Sequence, residues 1–174
     1  MEIRRFLDTE SFVDLNALLR EAYREHGERG VNFSATTEGP NETRKNCREG
    51  ECYVGVEGGM IVATILVRLA AHIPLGRLGA VAYYRRPGVA NFGRLAVLPE
   101  SQGRGYASRL LDFAEARARE LGYEELALDT SENADRLIAI YSARGYRLVD
   151  HHQWPEKNYR SVILAKRLQE SKSP

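Results

Sequence analysis

Hydrophobic residues recur along this chain with two periods, and the switches between them outline its elements. "EIRRFL" opens as a strand. Thr9–His26 follows as a helix, because Phe12, Leu15, Leu19, Ala22 and Tyr23 return to one face. Asp8, Thr9 and Ser11 are its candidate caps. The glycine-containing stretch "HGERGVNFSATTEGPN" breaks the pattern, and "ETRKNCRE" reads as a short second helix. "CYVGVE", "GG" and "MIVATILVRLA" read as a hairpin turned at Gly58-Gly59. From His72 to Gly88, prolines and glycines interrupt any regular period, with "GAVAYY" read as a strand. "ANFGRLAV" is a strand, Gly105–Leu121 a helix, "EELALDT" a strand and Ala134–Arg144 a helix; "YRLVDHH" and "RSVILAKRL" are two closing strands. This order predicts an α/β fold, a mixed central sheet with helices on both faces.

Composition narrows the picture. With 174 residues, 43% hydrophobic and 28% charged, the expectation is one domain over residues 1–168, followed by a disordered tail, "QESKSP", at 169–174. A formal net charge of +1 gives no case for a nucleic-acid partner. "MEIRRFLDTE" lacks the apolar stretch of a secretory signal, and the apolar run Met60–Val67 is too short for a membrane span, so no membrane partner and a cytoplasmic location are expected. Cys47 and Cys52 stand in no metal-type spacing; two reduced, structural thiols and no metal are expected.

The chemistry concentrates in "LAVLPESQGRGYASRLL", Leu95–Leu111. The helix that follows the glycines places Ala107, Leu110, Leu111, Ala114, Ala118 and Leu121 on one stripe against the sheet, so its N-terminus points out of the sheet edge. The first N–H groups of a helix lack intrahelical partners and carry about half a positive charge, which attracts an anion. Gly103 and Gly105 have no side chains to keep a phosphate from those amides, and Arg104 adds a charged donor. The bland alternative is a glycine loop that merely enters a helix. A dinucleotide-binding fingerprint, approximated by Gly103, Gly105 and Ser108, fails on spacing: Leu98–Gln102 separate the glycines from the strand, and other elements precede it.

Gln102, Gly103, Arg104, Gly105, Tyr106 and Ala107 match the pattern Q/R-x-x-G-x-G/A, and the stretch resembles the signature of the GCN5-related N-acetyltransferase (GNAT) superfamily. "ALDTSENADRLIAIYSARGYRLV" is similar to that family's second motif, with Tyr141, Gly145 and Tyr146 in place. The resemblance covers Leu95 to about Val149. It implies a single N-acetyltransferase domain with a splayed pair of parallel strands, and acetyl-CoA as cosubstrate, its diphosphate on the amides from Gly103 to Ser108. The backbone of Leu95, Ala96 and Val97 would face the pantetheine arm, with the Val97 N–H beside the thioester carbonyl. Tyr141 would be the general acid that protonates the departing thiolate, or else a core aromatic. Asn133 would bind the pantetheine or cap the following helix; the family's usual position for that Asn falls here on Ala134. Homodimers are common among relatives, and the resemblance leaves that state open here.

Many relatives carry a glutamate on the strand before the phosphate loop, but here that strand reads Asn91, Phe92, Gly93, Arg94. Glu100, Asp129, His151 and His152 remain as candidate bases. The resemblance places the acceptor, a primary amine of a small molecule, amino acid or peptide, between "YREHGERGVNF" and "HHQWPEKNYR", with Tyr23, Phe33, Trp154 and Tyr159 as candidate walls. Arg85, Arg86 and Arg94 are candidate partners for an acceptor carboxylate or the CoA 3′-phosphate. The functional expectation is direct acetyl transfer in a ternary complex. The second reading, given the missing glutamate, is a catalytically weak acetyl-CoA-binding sensor.

Overall fold

The computed structural model describes residues 1–69 and 80–168. The predicted tail and the segment from His72 to Gly79 lie outside the described residues. Seven strands form one sheet in the order β1-β2-β3-β4-β5-β7-β6. In chain order they are β1 (Glu2–Arg5), β2 (Glu51–Glu57), β3 (Met60–Arg68), β4 (Val89–Val97), β5 (Glu125–Ser131), β6 (Arg147–His152) and β7 (Ser161–Arg167). Neighbours run antiparallel except β4 and β5, which are parallel and joined at only three residue pairs, Val89↔Glu125 to Asn91↔Ala127. This is the mixed α/β sheet expected from the order of elements.

Helix α1 (Phe12–Glu28) starts where Ser11 accepts a hydrogen bond from the Asp14 N–H at 3.2 Å, which selects Ser11 among the three candidate caps. The interrupted stretch after it contains a helical turn, α2 (Ser34–Thr37), and α3 (Pro40–Cys47) begins two residues before the predicted helix. Gly58 and Gly59 both take positive φ, 57° and 82°, and close the β2–β3 hairpin as their sequence suggests. "GAVAYY" is no strand: Ala82–Arg85 form a 3-10 turn. The turn lets consecutive Tyr83 and Tyr84 both reach the sheet, donating to Glu125 at 2.7 Å and Asp129 at 3.1 Å; strand geometry would send them to opposite faces.

Helices α4 (Tyr106–Glu120) and α5 (Asp135–Ala143) cover one face of the sheet, where Leu110, Leu111, Ala114 and Ala118 join Ile65, Phe92, Leu126, Tyr141 and Leu164 in the largest core cluster. Leu121, expected on this stripe, is instead the C-cap of α4 and is 39% exposed, because the helix ends before its face comes round again. The other face is covered by α1–α3 over β2–β4 and by the tyrosine turn with Trp154 over β5 and β7. Cys47 and Cys52 are free thiols buried under α1.

Two buried ionic contacts fasten the covering layers. Glu51 accepts from both ends of the Arg117 guanidinium at 2.9 and 3.1 Å and from the Tyr53 hydroxyl at 2.7 Å, tying β2 to α4. Arg117 and the burial-opposed hydrogen bond from Tyr53 hold the Glu51 carboxyl down at about 2. On the opposite face Glu38, between α2 and α3, pairs with Arg94 of β4 and accepts from Thr43 Oγ1 at 2.8 Å; both partners are largely buried.

Breaking a buried ion pair from one side leaves an uncompensated charge. Arg94→Ala is expected to lower the unfolding free energy by about 3–5 kcal/mol in urea melts, and the Arg94→Ala/Glu38→Gln double variant to recover part of it. Because the folded Glu51 pKa lies below its unfolded value, its contribution is full above about pH 5 and fades as pH falls toward 2. Glu51→Gln therefore lowers stability at neutral pH and flattens the acid limb of a stability-against-pH curve.

Candidate active site

The central sheet opens where β4 and β5 stop pairing. Opposite Ile65, β4 carries one extra residue, so that Thr64 faces Ala96 while Leu66 faces Gly93. Arg94 sits in this bulge with a left-handed φ of 52°. Beyond Asn91 the bent strand diverges from β5, and a cleft of about 1020 Å³ fills the gap.

One wall of the cleft is Leu95, Ala96 and Val97. The Leu98 N–H donates to the Val62 carbonyl on β3 at 2.9 Å, so the alternation of the strand turns the N–H and C=O groups of Leu95 and Val97 toward the gap. The protein's own side chains reach both carbonyls: the Tyr23 hydroxyl donates to Leu95 at 3.1 Å and the Gln102 amide to Val97 at 3.2 Å. Gln102 thus ties the loop back to the strand it leaves.

The floor is the loop and the start of α4, with Gln102, Gly103, Gly105, Tyr106, Ala107 and Ser108 all lining the cleft. Gly103 and Gly105 have φ of 77° and 76°, a region that penalises any Cβ, and a Cβ built on either would meet nothing within 4 Å. Gly105 is the N-cap and offers no side-chain acceptor, so no cap side chain takes up the first amides of α4. The Tyr106 hydroxyl is hydrogen-bonded to Glu57, which pins the helix start to the hairpin. Arg104 turns the same way, 3.0 Å from Glu57, and does not line the cleft.

The far wall comes from β5 and α5: Ser131, Asn133, Leu137 and Tyr141. Ala134, not Asn133, is the N-cap of α5 and makes no side-chain capping bond; the Asn133 backbone N–H donates to Ser131 Oγ at 3.2 Å. The capping role considered for Asn133 is therefore excluded, while its side chain is exposed at the cleft. Tyr141 packs edge-on against Phe92 and Tyr146, each 5.9 Å away between ring centres. Its hydroxyl makes no hydrogen bond among the described residues. Burial, with the neighbouring Tyr23 and Asp129, pushes its pKa well above the ordinary tyrosine value, and burial pushes Tyr23 up to about 12. Both phenols stay protonated at neutral pH.

The rim brings together two segments far apart in sequence. Asn32, after α1, donates to the Glu156 carbonyl at 2.9 Å and accepts from the Asn158 N–H at 3.1 Å, while Asn158 donates to the Gly30 carbonyl at 2.7 Å. Tyr23, Phe33 and Tyr159 meet there as an aromatic group, and Tyr23 and Tyr159 line the cleft. Trp154 is buried instead, its indole N–H donating to Asp129 at 3.3 Å. His151 is exposed, His152 meets Trp154 edge-on, Arg86 lies over the Tyr83 ring, and Glu100 and Arg85 are exposed; none lines the cleft. Sequence reasoning missed a buried polar group on the α1 side of the sheet, Glu38, Arg68 and Asn91 around Arg94. The available signal was Arg68 itself, a charged residue at an inward position closing an apolar strand. Among the described residues no group of His, Cys, Asp or Glu is placed to hold a metal, and no helix is long and apolar enough to cross a membrane.

Residues 13–146 match the acetyltransferase (GNAT) family. The chain is 29% identical over 141 residues to the S-(2-succino)cysteine N-acetyltransferase of Bacillus subtilis (strain 168), covering 80% of this chain and 78% of that protein. Its fold superposes on the ribosomal-protein-S18-alanine N-acetyltransferase from Escherichia coli with a TM-score of 0.71 at 14% identity, over 98% of this chain and 95% of that one. A GNAT family acetyltransferase from Elizabethkingia anophelis with acetyl-CoA bound gives a TM-score of 0.69 at 13% identity, over 95% and 97% of the two chains. The family match spans the opened strands, the glycine loop and the Tyr141 helix alike, and the chain belongs to the GNAT family as an acetyl-CoA-dependent acyltransferase.

Proposed function

We propose that the enzyme transfers an acetyl group from acetyl-CoA directly to the primary amine of a small molecule or amino acid. The observation that carries this reading is the convergence of the uncapped α4 N-terminus, the inward-facing amides of β4 and the Tyr141 hydroxyl on one cleft. The cradle suits a diphosphate: the two left-handed glycines leave open space where side chains would stand, beside the positive end of a helix. Acetyl-CoA supplies an activated thioester.

The chain's own groups divide the remaining work. Amides from Gly103 to Ser108 hold the diphosphate, and those of Leu95 and Val97 receive the arm as an added strand would be received. The Val97 N–H stands where it can donate to a carbonyl oxygen that gains charge. Tyr141, kept protonated by burial, gives its proton to the departing thiolate. The acceptor enters between α1 and the segment joining β6 to β7, and its amine attacks as the free base, losing a proton to solvent. Asn133 contacts the arm from the β5 side, and Arg104 contributes its backbone amide while its side chain pairs with Glu57 on the hairpin. The named acceptor of the Bacillus relative is an amino acid, which favours that class here.

Two substitutions separate binding from chemistry. Gly105→Val, followed by calorimetric titration with CoA, is expected to weaken affinity about tenfold or more by placing a branched side chain in the cradle; unchanged affinity would contradict the assignment. Tyr141→Phe is expected to lower turnover about 100-fold or more while leaving CoA affinity intact, read by free-thiol release.

A further inference from the structure

Beneath α1 and beside the cleft, two guanidinium groups lie on one face of adjacent strands. Arg68, at the end of β3, pairs in register with Asn91 of β4, and its side chain passes between Gly50 and Gly93: a Cβ on Gly50 would come within 3.1 Å of its Cγ, and one on Gly93 within 3.0 Å of Nη1. The next residue along β4 is Arg94. Two glycines therefore make room for Arg68, and the bulge turns Arg94 toward the same face.

These cations have fewer partners than their burial demands. The Arg68 side chain is 8% exposed, makes no hydrogen bond among the described residues, and has its nearest carboxylate, Glu49, 3.8 Å from Nε. Arg94 donates to Glu38 through Nη1, but its Nε is buried without a partner. The Arg68 Nε, Asn91 Nδ2 and Ser161 Oγ are buried and unpartnered too. The other carboxylate nearby, Asp129, is occupied by the Tyr84 hydroxyl and the Trp154 indole. The large majority of buried polar atoms in native interiors are hydrogen-bonded, so a cluster of unmatched donors calls for an explanation, and a planar guanidinium finds its best match in a carboxylate.

The group also adjoins the reaction site. Leu95, whose carbonyl accepts from Tyr23, follows Arg94 in the chain, and the charge on Arg94 acts on the Tyr23 phenol. Tyr23 and Leu95 line the cleft, whereas Arg68, Asn91 and Arg94 do not, so the guanidiniums lie just behind its wall.

The geometry points to a carboxylate seat for the acceptor, formed by Arg68 laid across Gly93 and by Arg94, with Asn91 as a further donor; the preferred acceptors are then amines that carry a carboxylate. This inference rests on the acetyl-transfer reading and specifies its substrate class. Glu38 keeps its place as the partner that orients Arg94, and the acceptor carboxylate supplies the charge that Arg68 lacks.

The test titrates aspartate, glutamate and S-carboxymethylcysteine, each against its full amide, into CoA-saturated enzyme by calorimetry, and follows thiol release from acetyl-CoA with the same compounds. At least one acid is expected to bind and to be acetylated about tenfold or more better than its amide, and Arg68→Met to collapse that ratio while CoA still binds. Arg68→Lys, which keeps the charge without the fork, is expected to restore only part of it. Should Arg68→Met not fold, the acid-to-amide comparison on the wild-type enzyme decides alone. Equal handling of acids and amides, no binding of any acid to the CoA complex, or a preference that survives Arg68→Met would overturn the carboxylate seat and leave acetyl transfer standing. Failure of CoA itself to bind would strike the acetyl-transfer reading instead.

Discussion

The short parallel contact between β4 and β5 is the constraint on which the rest of the molecule depends. Three residue pairs join the two strands before they part, and the bulge at Arg94 bends β4 away. An opened sheet exposes main-chain groups that cannot stay unmatched in a protein interior. The chain answers half of that demand itself, with Tyr23 on the Leu95 carbonyl and Gln102 on the Val97 carbonyl. On the proposed reading the facing N–H groups receive the acceptor groups of a ligand, so the opened strand selects before any side chain is considered.

Electrostatics then grades the cleft along its length. One end has the helix amides of α4 and no acidic cap, which suits anions. The middle is walled by Leu95, Ala96, Leu137 and the Tyr141 ring, an apolar passage in which a phenol is held neutral by burial. Behind Tyr23 and Leu95 the interior turns cationic, where Arg94 is hydrogen-bonded to Glu38 and Arg68 has Glu49 as its nearest carboxylate at 3.8 Å.

Much of this was legible in the sequence because it is written in local chemistry. The glycine pair needs left-handed backbone, the stripe from Leu110 to Ala118 needs a helix period, and Tyr141 sits at a fixed distance from Gly145 and Tyr146 on one amphipathic segment. The family resemblance added the splayed strands, which no periodicity reveals. What escaped reading depends on long-range packing. "GAVAYY" reads as strand, but two consecutive tyrosines needed to reach Glu125 and Asp129 on one side. Arg104 reads as a phosphate ligand from its place between glycines, and its pairing with Glu57 on a distant hairpin had no signal in the sequence. Glu38 lies in an irregular stretch with no pattern of its own, and only the folded chain brings it to Arg94.

The strand order carries a consequence for how the sheet is assembled. β7, the last strand in the sequence, lies between β5 and β6. Strands β1 to β4 lie side by side in their sequence order, with α1–α3 inserted between β1 and β2 and only the Gly58-Gly59 turn between β2 and β3. On the other side, β5 and β6 each present an unpaired edge until residues 161–167 have been synthesised and inserted between them. During translation the N-terminal half is therefore free to condense early, while the half that carries Tyr141 waits as open edges for its final strand.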